Sequence, residues 1–205
     1  MNKTDYLKDI SEIKNLMNKS SRFISLSGLS GIMAGIYAII GAAIGYWFIT
    51  DHGKWFLIFD DKEVFNLILL NLVIIFFMSV STAIFLTVKK AKRNGEKMWD
   101  STSKRVLISF LTPLITGGVY ILIILAQQRY DSVSALMLLF YGLSLVNASK
   151  HTLRDIKFLG YIEIVLGLIC AALPGYGFWL WILGFGVMHI IYGTLMYFKY
   201  DKKRS

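Results

Sequence analysis

Hydrophobic residues occur along this chain in six long runs that are separated by short, strongly charged segments. A helix needs about 20 residues to cross the hydrocarbon core of a bilayer. Four runs reach that length, and the fourth and fifth need polar flanking residues to do so. The runs cover Phe23–Phe48, Val64–Val88, Val106–Ala126, Val133–Ala148, Phe158–Leu173 and Phe178–Phe198. The pattern predicts an all-α, polytopic membrane protein with six transmembrane helices arranged as three hairpins.

The segment before the first run has a different pattern. Tyr6, Ile10, Ile13 and Met17 recur at helical spacing among charged residues. This spacing predicts a short amphipathic helix that lies on the cytoplasmic interface of the membrane. Its simplest role is that of an anchor, and the alternative is a docking helix for a partner. The chain is thereby divided into an amphipathic segment (1–22), a transmembrane domain (23–198) and a basic tail (199–205).

Positive charge lies almost entirely on one side of the predicted helices. The chain has a net charge of +9, and 56% of its residues are hydrophobic. Nineteen of the 22 Lys and Arg residues fall on the side that carries both termini, and only Lys54, Lys62 and Arg129 fall on the other. The positive-inside rule therefore places both termini in the cytoplasm, which predicts a multi-pass protein of the bacterial inner membrane. We interpret the basic clusters as topology determinants that contact anionic lipids, and we expect no nucleic-acid partner.

Small residues form a stripe along the first helix. Ser27, Gly31 and Gly35 are four residues apart, and Gly41 and Gly45 follow with the same spacing between them. Such stripes allow membrane helices to approach closely. Packing within the same chain is the interpretation that we favour, and the alternative is a homo-oligomer whose interface uses Ser27, Gly31 and Gly35.

The fifth hydrophobic run contains a carboxylate, Glu163. On a helix it shares a face with Gly160 and Gly167, so it is expected to point into the helix bundle. His189 in the last run also has glycines three residues before and four residues after it. Counted from the short turn between the two helices, Glu163 and His189 lie about 16 Å and about 18 Å deep. An acid and an imidazole are thus predicted at the same level, and contact between them is a hypothesis.

Counting in the same way from the other helix ends gives a candidate intramembrane polar site. Its members are Glu163, His189, Tyr37, Thr116 and Ser144. We favour a hydrogen-bonded polar contact that fixes the register of the helices. The alternatives are a proton- or cation-linked path, since ionisable groups in membranes are candidate functional sites, and a pocket for a small molecule or lipid.

Known catalytic motifs do not occur in the sequence. There is no HExxH, CxxC, P-loop or GxSxG pattern, and the single cysteine, Cys170, lies in a hydrophobic run. We therefore predict no catalytic residues, no cofactor and no metal site.

The last hairpin resembles the HdeD-like acid-resistance membrane proteins, which are small six-helix proteins with glycine-rich hairpins. The residues that carry the resemblance are Gly160, Glu163, Pro174 and Gly186 in GYIEIVLGLICAALPG and WILGFGVMHIIYG. Where another acid is expected in the sixth helix of that family, this chain has His189. The resemblance implies a non-enzymatic inner-membrane protein that is linked to stress response.

These observations lead to two functional expectations. The first is a non-enzymatic integral inner-membrane protein, acting as a stress-related or accessory factor. The alternative is a small proton-linked channel or transporter that uses Glu163 and His189.

Overall fold

A computed structural model describes residues 26–51, 62–95 and 99–202 of the chain. This part of the protein is all-helical, as predicted. The predicted amphipathic N-terminal helix lies outside the described residues, as do the segments 52–61 and 203–205. The helices are α1 (Gly28–Asp51), α2 (Lys62–Arg93), α3 (Ser101–Ala126), α4 (Val133–Ala148), α5 (Ile156–Ala172) and α6 (Gly177–Asp201).

Local chemistry explains where several helices begin and end. Asp100 caps α3, because its carboxylate accepts hydrogen bonds from the amide and hydroxyl of Ser103 at 2.7 and 2.8 Å. The bond from the Ser103 amide lowers the pKa of the Asp100 carboxyl. Between α5 and α6, Gly175 adopts a φ of 89°, which a residue with a side chain rarely takes. The preceding Pro174 cannot continue α5, so the two residues together make the short turn.

Helix α6 is continuous but not uniformly α-helical. Its backbone is π-helical over Ile182–Met188 and again over Tyr197–Asp201, with helical φ and ψ values at the junctions. A π turn holds more residues than an α turn, so it changes the direction in which the following side chains point. The first stretch lies directly before His189, and π turns are frequent at functional sites.

Four of the described helices are long and apolar enough to cross a membrane: α1, α2, α3 and α6. Helices α4 and α5 have 16 and 17 residues, in agreement with the two short hydrophobic runs. The protein is therefore compatible with a helical membrane protein. Its large exposed hydrophobic side chains, such as Phe77 and Phe85 of α2, are typical of surfaces that face lipid.

The order in which the helices pack differs from their order along the chain. Helix α1 lies between α2 and α6, and α4 lies between α3 and α5. The N-terminal part of α6 joins the two groups, because it contacts both α4 and α5. Helix α5 thus makes most of its contacts with α4, and α6 makes most of its contacts with α1, rather than the two forming an isolated hairpin.

The small-residue stripe of α1 is occupied by α6 of the same chain. A Cβ atom added to Gly35 would lie 2.6 Å from the Gly186 carbonyl oxygen, and one added to Gly31 would lie 3.2 Å from the Gly193 Cα. Both glycines therefore serve a close approach of the two backbones. Gly31 and Gly35 thus pack within the same chain, and the homo-oligomer through Ser27, Gly31 and Gly35 stays a prediction.

Candidate functional site

The structure brings Glu163 and His189 together. The Oε1 atom of Glu163 lies 3.4 Å from Nδ1 of His189. The Glu163 side chain is completely buried, and that of His189 is 6% exposed. Glu163 and His189, which were predicted to lie at the same depth, therefore contact each other directly between α5 and α6.

Small residues on both helices make room for the carboxylate. Gly160 and Gly167, on either side of Glu163, lie against α4: a Cβ at Gly160 would be 2.8 Å from the Gly142 carbonyl oxygen. Glu163 itself extends towards Gly184 in the π-helical stretch of α6. A Cβ on Gly184 would lie 2.5 Å from Glu163 Oε2, so a side chain at this position would displace the carboxyl group.

Two further groups orient the imidazole of His189. Its Nδ1 atom is 3.0 Å from the carbonyl oxygen of Gly184, and its Nε2 atom is 2.8 Å from the hydroxyl of Tyr141 on α4. Because a carbonyl can only accept, Nδ1 carries the hydrogen in this arrangement. In the neutral imidazole, Nε2 then accepts from Tyr141. The ring also stacks on Phe185, with 5.8 Å between the centroids, which restricts its rotation.

The Glu163 carboxyl group has no hydrogen-bond partner among the described residues. Both of its oxygen atoms are buried and lack a donor within hydrogen-bonding geometry. An ionised carboxylate that is buried without donors or a counter-charge is several kcal/mol less stable than a solvated one. A proton on Glu163 or a second proton on His189 removes that penalty. The arrangement is therefore suited to holding a proton in the shared space between α5 and α6.

The other three predicted members of the site make separate hydrogen bonds. Ser144 is completely buried on α4, and its hydroxyl donates to the Phe140 carbonyl at 2.7 Å. The Tyr37 hydroxyl pairs with Thr82 of α2 at 3.2 Å. Thr116 donates to the carbonyl four residues earlier, on the exposed surface of α3. Tyr37 and Thr116 thus stabilise other parts of the fold, and the Ser144 hydroxyl makes its hydrogen bond within α4.

Tyr141 was not among the residues that the sequence singled out. It lies one turn before Ser144 and points its hydroxyl at His189. Tyrosine is common at membrane interfaces, so a sequence position alone does not identify one that acts in the interior. The sequence feature that could have identified Tyr141 is its hydroxyl, which lies within one helical turn of Ser144 in the short apolar helix α4.

A second buried polar cluster joins α1, α2 and α6 at the end of the bundle where α1 begins and α6 ends; we call it the terminal cluster. Lys90 Nζ lies 2.5 Å from Asp201 Oδ1 and 2.7 Å from the carbonyl oxygen of Leu26. The other Asp201 oxygen accepts from the amide of Gly28 at 3.0 Å and from the hydroxyl of Ser27 at 3.3 Å. Asp201 therefore caps the first turn of α1 from the opposite end of the chain.

A third polar contact lies nearby but is exposed. Asp155, directly before α5, accepts hydrogen bonds from the Lys199 ammonium and from the Tyr200 hydroxyl, the latter at 2.9 Å. The bond from Lys199 lowers the pKa of the Asp155 carboxyl. This contact ties the start of α5 to the end of α6.

No protein family, curated protein or solved structure compared with this chain matches it. The resemblance of the last hairpin to the HdeD-like proteins therefore stays a prediction. Among the described residues, no three His, Cys, Asp or Glu side chains are grouped so that they could hold a metal ion.

Proposed function

We propose that this chain is a multi-pass protein of the bacterial inner membrane, with six crossing helices and both termini in the cytoplasm. The distribution of Lys and Arg supports this orientation. Lysines also lie over aromatic rings at the proposed cytoplasmic end, for example Lys104 over Trp99 and Lys157 over Phe158 at 5.7 and 5.0 Å. Such pairs are suited to an interface where anionic headgroups meet hydrocarbon.

In this membrane, the protein acts as a non-enzymatic accessory factor that responds to protons through Glu163 and His189. The observation that carries this proposal is the buried Glu163 carboxyl group, which has no donor and lies 3.4 Å from His189. Proton gain or loss at this pair changes the charge of a buried contact between α5 and α6. A link to stress response rests on the HdeD-like resemblance alone.

Helix α6 is the element that transmits such a change. It carries His189, presents the Gly184 carbonyl to it, packs on α1 along a glycine seam, and ends at Asp201 in the terminal cluster. A shift of α6 relative to α5 therefore reaches the end of the bundle where the termini lie. Packed helices have discrete arrangements, so a local change in charge can bias one over another.

Hydrogen exchange as a function of pH tests this proposal. Amide exchange in α6, corrected for intrinsic rates, should differ between about pH 5 and about pH 8 in wild type, because the pair changes its protonation. Glu163→Gln keeps the shape of the side chain, removes the ionisable group and should abolish the difference. Asp131→Asn, in the exposed α3–α4 loop, is the matched control. An identical pH response in wild type and Glu163→Gln would refute the proposal.

A proton-linked channel or transporter is the second candidate function. It is favoured by the bridging position of His189, which meets Glu163 through one ring nitrogen and Tyr141 through the other. An imidazole in that position can accept a proton on one side and release it on the other. Purified protein in liposomes with an internal pH-sensitive dye tests this function. Flux equal to that of empty liposomes, or flux unchanged in Glu163→Gln, would rule it out.

A further inference from the structure

A cleft lies between α3, α4 and α5 near the α3–α4 loop, at the end of the bundle opposite the terminal cluster. Its volume is about 200 Å³, and its walls include Tyr120 and Ile124 of α3, Leu139 of α4 and Ala171 of α5. Pockets for drug-sized ligands have roughly 300–1,000 Å³. This narrower cleft opens on the exposed face of the helices, and its apolar walls suit a hydrocarbon chain rather than an enclosed polar molecule.

Arg129 lies at the mouth of the cleft together with Ser132. The Arg129 side chain makes no hydrogen bond or ion pair with any described residue. Ser132 precedes α4, but its hydroxyl does not cap that helix. Among the described residues, neither this guanidinium nor this hydroxyl has a hydrogen-bond partner at the mouth of the apolar cleft, and both groups donate well to phosphate oxygens.

A strained turn holds Arg129 in this place. Gln128 adopts a φ of 58°, in the left-handed region that residues other than glycine rarely occupy. The amide of Arg129 then donates to the Ile124 carbonyl at 3.0 Å, which closes the end of α3. Ile124 itself is buried in the wall of the cleft. The turn therefore fixes the backbone of Arg129 beside the apolar wall of the cleft.

The charge of Arg129 also needs an explanation other than topology. It is one of only three basic residues on its side of the predicted helices. By the positive-inside rule, a positive charge on that side opposes the orientation set by the other nineteen. A charge that works against insertion and has no partner in the described protein is expected to serve another contact.

We infer that the cleft binds one phospholipid of the surrounding bilayer. The phosphate is held by the Arg129 guanidinium, with the Ser132 hydroxyl beside it, and one acyl chain lies along Ile124, Leu139 and Ala171. A negatively charged headgroup complements the Arg129 guanidinium, and an acyl chain complements the apolar walls. This site is separate from Glu163 and His189 and does not depend on the proton-responsive role.

Native mass spectrometry can measure the site directly. Protein released from nanodiscs that contain phosphatidylglycerol should retain one lipid molecule. Arg129→Gln removes the charge and should weaken retention about tenfold, the loss of one charge-assisted hydrogen bond. Ala171→Phe fills the cleft from an exposed position and should weaken it similarly. The matched controls are Arg154→Gln, an exposed arginine at the opposite end, and Ala172→Phe, an exposed neighbour outside the cleft.

The outcomes separate the lipid from simpler explanations. Retention that falls in Arg129→Gln and Ala171→Phe, but not in the two controls, supports a phospholipid site. Equal retention in all five proteins overturns the inference, as does the absence of a retained lipid in wild type. If inorganic phosphate displaces the lipid and Ala171→Phe has no effect, the mouth binds phosphate alone, and the acyl-chain assignment is wrong.

Discussion

The first prediction concerns single and double substitutions of Lys90 and Asp201 in the terminal cluster. Lys90 and Asp201 are 6% and 9% exposed and 2.5 Å apart, so each neutralises a charge that water does not reach. Replacing one of them leaves its partner buried and unpaired. Such single changes typically destabilise a protein by about 3–5 kcal/mol, whereas replacing both members by apolar residues is often nearly neutral.

The other hydrogen bonds of the terminal cluster indicate which of the two single substitutions should destabilise the protein more. Lys90→Met leaves Asp201 with two donors, the Gly28 amide and the Ser27 hydroxyl. Asp201→Leu leaves Lys90 with the Leu26 carbonyl alone and also removes the cap of α1. We therefore expect Asp201→Leu to be the more damaging single change. The double variant should lose only about 1 kcal/mol, the usual value of a helix cap, and should be more stable than Asp201→Leu.

Equilibrium unfolding in mixed detergent micelles, followed by far-UV circular dichroism, measures these free energies. Lys89→Met is the matched control, because Lys89 is an exposed neighbour and its replacement removes the same charge. A double variant that is destabilised by the sum of the two single changes would refute the reasoning. Such a result would mean that Lys90 and Asp201 do not neutralise one another.

Three further predictions follow from other contacts. Gly35→Leu should strongly lower the melting temperature in detergent, because its Cβ would lie 2.6 Å from the backbone of α6. Gly118 has open space around it, so Gly118→Leu should have little effect. Equal shifts in the two variants would contradict the close packing of α1 on α6. The lowered pKa of Asp155 means that its contact with lysine stabilises the fold above about pH 4 and is lost as the pH falls through the lower folded pKa. Asp155→Asn should therefore lower the melting temperature by more near neutral pH than at about pH 3, and an equal difference at both pH values would contradict this. Glu163→Leu and His189→Leu should each change the melting temperature, and their effects should be non-additive, whereas additive shifts would count against the 3.4 Å contact.

The local pattern of the sequence was enough to predict that the described part of the chain is all-helical. The bounds Val133–Ala148 of α4 agree with the fourth hydrophobic run, and α3 ends at Ala126 as expected. The similar depth of Glu163 and His189 was predicted by counting 1.5 Å per residue along both helices, and their contact is formed although α6 is π-helical over Ile182–Met188. Hydrophobic runs and helical rise are local properties, so they can be read without knowing which helices meet.

The partners of the helices could not be predicted in this way. Helix α1 packs on α6 through glycines that are about 160 residues apart in the chain, and a small-residue stripe does not specify its partner. Lys90 was counted with the basic residues that set topology, although its ammonium group is buried against Asp201. The π-helical stretch before His189 also has no sequence signature, yet it places the Gly184 carbonyl against the imidazole.

The central claim is that the Glu163 carboxyl group gains and loses a proton inside the bundle. Infrared difference spectroscopy of protein with isotope-labelled glutamate measures this directly, through the C=O stretch of a protonated carboxylic acid. We predict a buried carboxylic-acid band whose intensity changes between about pH 5 and about pH 9, which is absent in Glu163→Gln and altered in Tyr141→Phe. A spectrum without a pH-dependent band, or one that is the same in Glu163→Gln, would contradict the account.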